Sequence, residues 1–336
     1  MFNENYPFFT GSSNYMKSHF KQYADFVKKF YLKSNSKIIE VGSNDGTFLS
    51  NFMHDKHQIL GFEPSKNVAD RAIKNNVPTL NKFFNTDNIS DLNEYLGKTD
   101  LICASNVICH IPDLNNLFET INLLLSNDGT FIFEEPYLGS MFDKISYDQI
   151  YDEHIYIFSA SSISKIVKKH DFELVDVIPQ ITHGGSMRYI IKKKKNSQIS
   201  KNVVSILNQE ILNKLDSLES CLAFKKNCEL SKRNILNKIT RLKDNNKTIA
   251  GYAATSKSTT ILNYCNIGNE LIDYICDTTD EKIGKFSPGM HVPIVSMEHF
   301  YKNVPDSIYL FAWNHKEEIF KKEEQFEGEW FSHVTL

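Results

Sequence analysis

One stretch constrains this chain more than any other: Ile38-Ile39-Glu40-Val41-Gly42-Ser43-Asn44-Asp45-Gly46-Thr47-Phe48. Lys37 to Val41 reads as a short buried strand, Gly42 to Gly46 as a tight turn, and Thr47 onward as a helix with Phe48, Leu49 and Phe52 on its inner side. Strand, glycine turn and helix form the unit that sets backbone N–H groups and a helix start against a polar ligand. The spacing is Gly-x-x-x-Gly and not that of a dinucleotide loop, and Asp45 would repel a pyrophosphate. An acidic first turn suits a ligand with a positive group. The next element, Gln58 to Pro64, reads as a second strand ending in Glu63, a carboxylate placed to accept from ribose hydroxyls. S-adenosylmethionine, with a sulfonium, an ammonium and a ribose, matches both features. A plain glycine turn in an α/β sheet is the competing reading, which Glu63 weakens.

At 336 residues the chain exceeds one compact domain of roughly 100–200 residues, so two domains are expected. Lys and Arg number 38 against 41 Asp and Glu, and a net charge of −3 gives no reason to expect nucleic acid as a partner. No apolar run reaches about 18 residues, so no membrane span is expected. Met1 is followed by no basic region and apolar core, so no signal peptide is expected. The six cysteines never form a C-x-x-C pair, which reads as scattered thiols in a cytoplasmic protein with no metal site.

The chain then alternates strand and helix. A helix over 15–31 carries Met16, Phe20, Tyr23, Ala24, Val27 and Phe30 at helical spacing; a helix over 66–75 and a short strand at Thr79-Leu80 follow the second strand. Phe83-Phe84-Asn85 reads equally as core or as an adenine rim. Asp100 to Asn106 is the fourth strand, and the carboxyl end of an open α/β sheet is where ligands bind, which marks Asn106 and His110. A helix around 113–125, a turn at Asn127-Asp128-Gly129 and a strand over Thr130 to Pro136 follow. A helix over 158–170 leads to two further strands, Leu174–Val177 and Arg188–Ile191. Residues 1–192 are therefore expected to form one doubly wound α/β domain, 193–246 a helical linker with a solvated charged face, and 247–336 a smaller Rossmann-like α/β domain. In the last, Thr248 to Lys257 repeats the strand, turn and helix with a lysine in the first helical turn, which suits an anion.

Two clusters stand out for chemistry. Tyr151-Asp152-Glu153-His154 is more polar than a loop requires, and a histidine near neutrality can remove a proton beside a ketone, leaving a carbon nucleophilic enough for a methyl sulfonium. A capping cluster before the next helix is the competing reading. His183-Gly184-Gly185-Ser186-Met187-Arg188 flanks a glycine pair, which admits close ligand approach, with a His and an Arg.

These motifs together resemble the sugar-nucleotide C-methyltransferases. The resemblance runs nearly end to end: Tyr6 to Ser13, Glu40 to Gly46, Gly61 to Ser65, Asn106 to Asp113, Tyr151 to Ser159, His183 to Arg188, Gly251 to Lys257, Lys285 to Pro293 and Ala312-Trp313-Asn314. It implies a class I methyltransferase domain followed by a second Rossmann-like domain. It also implies methyl transfer from S-adenosylmethionine to C3 of a 4-keto deoxy sugar on a nucleoside diphosphate. His154 becomes the base, with Glu153, Tyr151 and Tyr6 in the catalytic cluster; Phe8 stands where the family commonly has tyrosine. Glu40, Gly42, Asn44, Asp45, Gly46, Glu63, Pro64, Asn106 and His110 are expected at the cofactor. His183, Gly184, Arg188, Lys257 and Asn314 are expected at the nucleotide sugar, although Ala253 replaces a glycine usual in the second turn. Family members usually begin with a zinc-binding cysteine domain that is not in this sequence, which raises the expectation of a separate protein supplying it. O- or N-methylation of a nucleotide sugar, and a catalytically reduced sugar-binding protein, are the alternatives.

Overall fold

A computed structural model describes residues 4, 6–90 and 92–335. They form two compact units, each discontinuous in sequence. The first takes the chain up to Tyr137, then Ile155–Gln180 and Ser186–Glu210; the second takes Leu138–His154, Ile181–Gly185 and the chain from Ile211 onward.

The first unit begins with α1 (Asn14–Phe30), capped by Ser13, whose hydroxyl accepts from Met16 N; it buries Met16, Phe20, Tyr23, Ala24 and Val27 along one face. Then come β1 (Lys37–Val41), β2 (Gln58–Phe62), α2 (Lys66–Lys74), β3 (Thr79–Leu80), β4 (Thr99–Ser105), α3 (Leu114–Leu124) and β5 (Leu125–Pro136). After α4 (Leu138–Lys144), which belongs to the second unit, the first resumes with α5 (Ala160–Lys168), β6 (Phe172–Gln180), β7 (Ser186–Lys193) and most of α6 (Lys201–Leu212). The sheet order is β3-β2-β1-β4-β5-β7-β6, with β7 antiparallel to both of its neighbours and the other pairs parallel. Both faces are covered. Ile39, Val41, Ile102, Ala104, Phe131 and Phe133 face one core, while Ile38, Leu101, Cys103 and Ile132 face the other with α1. That is why these strands read as unbroken apolar runs.

Four local expectations are corrected. The segment after Gly46 is a short 3₁₀ turn, Leu49–Phe52, and not an α-helix, because β2 already begins at Gln58; Phe48, Leu49 and Phe52 are nonetheless buried. Asn127-Asp128-Gly129 lies within β5, where the register slips between Thr99 and Leu101 and Gly129 leaves room for the Thr99 carbonyl. In the segment read as having a solvated charged face, Glu210 is buried: it accepts from Ala160 N, Ser161 N and the Tyr137 hydroxyl, capping α5 from α6. Conversely Ile211, Leu222 and Leu230, read as an apolar face, are exposed.

The second unit contains α4, then α7 (Leu218–Asp244), β8 (Ile249–Tyr252), α8 (Ser256–Cys265), β9 (Tyr274–Cys276), β10 (Ile294–Val295), α9 (Met297–Lys302), β11 (Ser307–Leu310), α10 (Lys316–Lys322) and β12 (Glu329–Phe331). Its sheet is wholly parallel in the order β10-β9-β8-β11-β12. This is the same progression as β3-β2-β1-β4-β5. The strand β12 has no counterpart in the sequence reading. Ala253, in the turn after β8, takes φ 73, a conformation glycine adopts without cost. No helix among the described residues is long and apolar enough to cross a membrane.

Candidate active site

In the first unit the turn after β1 is shaped by left-handed backbone at Gly42 (φ 65), Asn44 (φ 49) and Gly46 (φ 79). A side chain on Gly42 would run into the Val107 methyls, and one on Gly46 into Val77, so both positions require glycine for space as well as for conformation. Glu63, just past β2, staples the turn: its Oε2 accepts from Asn44 N (3.1 Å) and its Oε1 from Ser65 N (2.8 Å). Burial raises this carboxyl above its ordinary range despite those donors. The amino-terminal segment crosses the same turn. Thr10 N donates to Asn44 Oδ1 (2.9 Å), Asn44 Nδ2 to the Phe8 carbonyl (3.2 Å) and Gly11 N to Asp45 Oδ2 (2.8 Å). Asp45 Oδ1 accepts from the Thr47 hydroxyl at 2.6 Å, so both Asp45 oxygens already serve the protein. Tyr6 is half-buried, its carbonyl taking a hydrogen bond from Asn67.

Four buried polar atoms at the carboxyl ends of the adjacent strands β1, β4 and β5 have no hydrogen-bond partner among the described residues: Glu40 Oε2, Ser43 Oγ, Asn106 Oδ1 and Glu135 Oε2. Natural interiors leave few such groups unmatched. Burial, then the Asp45 and Glu63 charges, push the Glu40 carboxyl well above its ordinary range. A site short of donors and crowded with acids fits a cation that also carries hydroxyls, which is the chemistry of S-adenosylmethionine.

In the second unit, His154 Nδ1 lies 2.8 Å from the Gln149 carbonyl oxygen, which can only accept. The neutral ring therefore carries its proton on Nδ1, leaving Nε2 as the acceptor, 2.8 Å from the Tyr151 hydroxyl. A backbone carbonyl thus orients the ring, and Glu153 beside it is half-buried. Close in sequence, Asp148 is fully enclosed. Trp313 Nε1 donates to its Oδ2 (2.8 Å) and His333 Nε2 lies 3.0 Å from its Oδ1. Burial alone would raise the Asp148 carboxyl, but His333, Lys257 and the Trp313 hydrogen bond together hold it below its usual range.

Lys257 and Asn314 are brought together. The ammonium lies 3.5 Å from Asn314 Oδ1 and 5.1 Å from the centre of the Trp313 ring. Burial lowers it below the usual lysine range, with the Asp148 charge opposing. Two expectations in the 183–188 segment need correction. The space above Gly184 is filled by the Trp313 indole and that above Gly185 by Ser140, so the glycine pair admits protein side chains and not a ligand; His183 beside them has φ 53. Arg188 belongs to the first unit, where its Nε donates to Glu134 Oε1 at 2.7 Å and its guanidinium stacks 3.9 Å from the Tyr23 ring centre. Arg188 is buried there against Glu134 and Tyr23.

Asp148, Gln149, His333 and Glu135 were missed. Asp148 and Gln149 stand next to the marked Tyr151–His154 cluster, whereas His333 and Glu135 adjoin no marked motif, and a backbone carbonyl leaves no signal at all.

Residues 15–177 match the methyltransferase domain family, and residues 181–334 the C-methyltransferase C-terminal domain family. The chain is similar to C-methyltransferase NovU of Streptomyces niveus, with 28% identity over 323 residues, 96% of this chain and 77% of that one. Among solved structures it is similar to a methyltransferase from Thermotoga maritima (18% identity, 54% of this chain, 92% of that one, TM-score 0.42). It is also similar to a protein of Pyrococcus horikoshii (14% identity, 56% of this chain, 97% of that one, TM-score 0.45). The fold, the acid-lined cradle and the two consecutive domain matches define an S-adenosylmethionine-dependent methyltransferase. Within that class the match over residues 181–334 and the similarity to NovU support a C-methyltransferase.

Proposed function

We propose that the acceptor is a 4-keto deoxy sugar on a nucleoside diphosphate, methylated at C3 after His154 removes the C3 proton. The observation that carries this reading is the fixed Nδ1–H tautomer of His154, which turns a basic Nε2 toward a phenol. A carbon becomes nucleophilic beside a ketone only by losing a proton. His154 Nε2 takes it, the Gln149 carbonyl then holds the Nδ1–H of the imidazolium, and the Tyr151 hydroxyl swings from Nε2 to the developing enolate oxygen. Glu153 is assigned to the acceptor with His154, and Tyr6 is given a catalytic part on the family resemblance alone. When bound, S-adenosylmethionine supplies an electrophilic methyl group on a sulfonium. Glu40, Asn44, Glu63, Pro64, Asn106 and His110 are assigned to it, with Gly42 and Gly46 giving the turn its shape.

The nucleotide part rests on the second unit. There Asp277 Oδ2 accepts from Ala254 N (2.7 Å) and Oδ1 from Thr279 N (2.8 Å), which repeats on β8 and β9 the staple that Glu63 makes on β1 and β2. Here the turn leads to Lys257, a cation with few anionic neighbours, which suits a diphosphate, with His183 and Asn314 assigned to the same ligand.

The test incubates the enzyme with a nucleoside-diphosphate 4-keto deoxy sugar in deuterium oxide without methyl donor, then measures methylation with donor, for wild type and His154→Gln. Wild type should exchange the C3 proton and methylate C3, and the variant should lose about 10²–10⁴-fold in turnover while keeping its donor affinity. Wild-type turnover in the variant would remove His154 as the base.

A further inference from the structure

Glu135 stands at the end of β5 with no exposed surface, and the reaction proposed above gives it nothing to do. Its Oε1 accepts from three successive backbone N–H groups: Val107 (2.9 Å), Ile108 (2.6 Å) and Cys109 (3.3 Å). These are the first donors of the 3₁₀ turn Ile108–His110 that follows β4, a turn with no side-chain cap of its own. The residue before them is tied to the same strand, since Asn106 N donates to the Glu134 carbonyl at 2.8 Å while Asn106 takes φ 56. Val107, whose N–H is held by Glu135, puts its methyls where a side chain on Gly42 would lie. One carboxyl on β5 thereby fixes a turn after β4, and that turn bears on the glycine turn after β1. The three strands are neighbours in the order β1-β4-β5.

We propose that Glu135 is a positioning residue for the methyl donor: its carboxyl holds the 107–109 turn, and through Val107 against Gly42 it sets the shape of the donor's cradle. Without an acceptor at this place three buried N–H groups have no partner, and the turn must open toward water to satisfy them. Opening withdraws Val107 from Gly42 and moves Asn106 and His110, which the same turn carries. The left-handed backbone at Gly42 then loses the neighbour that confines it.

Donor affinity, measured by calorimetry with S-adenosylmethionine alone, tests this in four variants checked for folding by circular dichroism and thermal melting. Glu135→Met, which keeps the length and removes the acceptor, should weaken binding by about tenfold or more. Glu135→Gln, which restores an acceptor oxygen, should recover affinity to within about threefold of wild type, a rescue that bulk packing would not require. Val107→Ala should weaken binding by several-fold through the same link. The double variant Glu135→Met with Val107→Ala should bind no worse than Glu135→Met alone, since both changes break one chain of contacts. A folded Glu135→Met protein with wild-type affinity overturns the proposal, as does a double variant whose loss is the product of the two single losses. If Glu135→Met does not fold, Val107→Ala and Glu135→Gln decide: unchanged affinity in the first, or Met-like failure to fold in the second, overturns it.

Discussion

Glu134 and Glu135 are consecutive on β5, both buried, and their side chains point to opposite faces of one sheet with opposite consequences for charge. Burial would raise the Glu134 carboxyl, but His19 at 2.6 Å and Arg188 together hold it below its ordinary range. Glu135 meets only N–H groups and the Cys109 thiol, and burial pushes it up to about 7. Neighbouring carboxyls thus differ because one faces the Arg188 guanidinium and the other only dipoles.

That contrast gives stability a pH dependence with a definite sign. In the unfolded chain Glu135 releases its proton near 4.5, and in the folded protein near 7, so between these values the folded state binds more protons and stability falls as pH rises. Glu135→Gln removes this slope. Urea unfolding at pH 5 and pH 8 should show wild type losing up to about 3 kcal/mol relative to Glu135→Gln across that interval. Parallel pH profiles for the two proteins would contradict it.

Donor binding should release a proton. Burial and the nearby Asp45 and Glu63 charges push the Glu40 carboxyl well above its ordinary range, and a bound cation favours the carboxylate. Affinity for S-adenosylmethionine should therefore rise with pH until Glu40 is ionised in the free protein. Calorimetry in two buffers of different ionisation enthalpy should detect the released proton, and Glu40→Gln should abolish it.

Glu63→Ala should weaken donor affinity by roughly ten- to a hundredfold, because a charged acceptor is lost and Asn44 N is left without its partner. Direct titration of the folded variant checks this, and an unchanged dissociation constant would move the ribose hydroxyls elsewhere.

Lys257→Ala should raise the KM of a nucleoside-diphosphate acceptor by about ten- to a hundredfold with little effect on donor affinity. The wild-type KM should also rise with ionic strength more steeply than that of the variant. Equal salt dependence in the two proteins would place the diphosphate away from Lys257.

Much of the fold was legible because apolar runs and turn residues are local signals. Lys37–Val41 is a strand at the bounds its sequence suggests, the second strand starts at Gln58 as read and stops at Phe62, just short of Glu63, and both small-residue turns lie where the sequence places them. The errors came where long-range pairing decided the outcome. Thr47 onward has helical patterning but must return at once to β2, and Asn127-Asp128-Gly129 has turn chemistry but sits as a bulge inside β5, between Leu125 and Thr130, which both pair with β4. Arg188 shows the same limit at the site: a cation beside two glycines signals a ligand locally, and only the fold reveals Glu134 opposite it. Gln149 contributes a carbonyl, which every residue possesses, so its part beside His154 had no trace in side-chain identity.

The place of β7 bears on how such a protein can be divided. The two matched domains meet between residues 177 and 181, yet β7 (Ser186–Lys193) lies beyond that junction and sits between β5 and β6. A polypeptide ending at the junction would lack the strand that pairs with both, along with the guanidinium that neutralises Glu134. β6 would have no partner in the sheet. The boundary drawn by sequence families is therefore not a line along which the chain can be cut, and an autonomous donor-binding fragment has to run at least through α6.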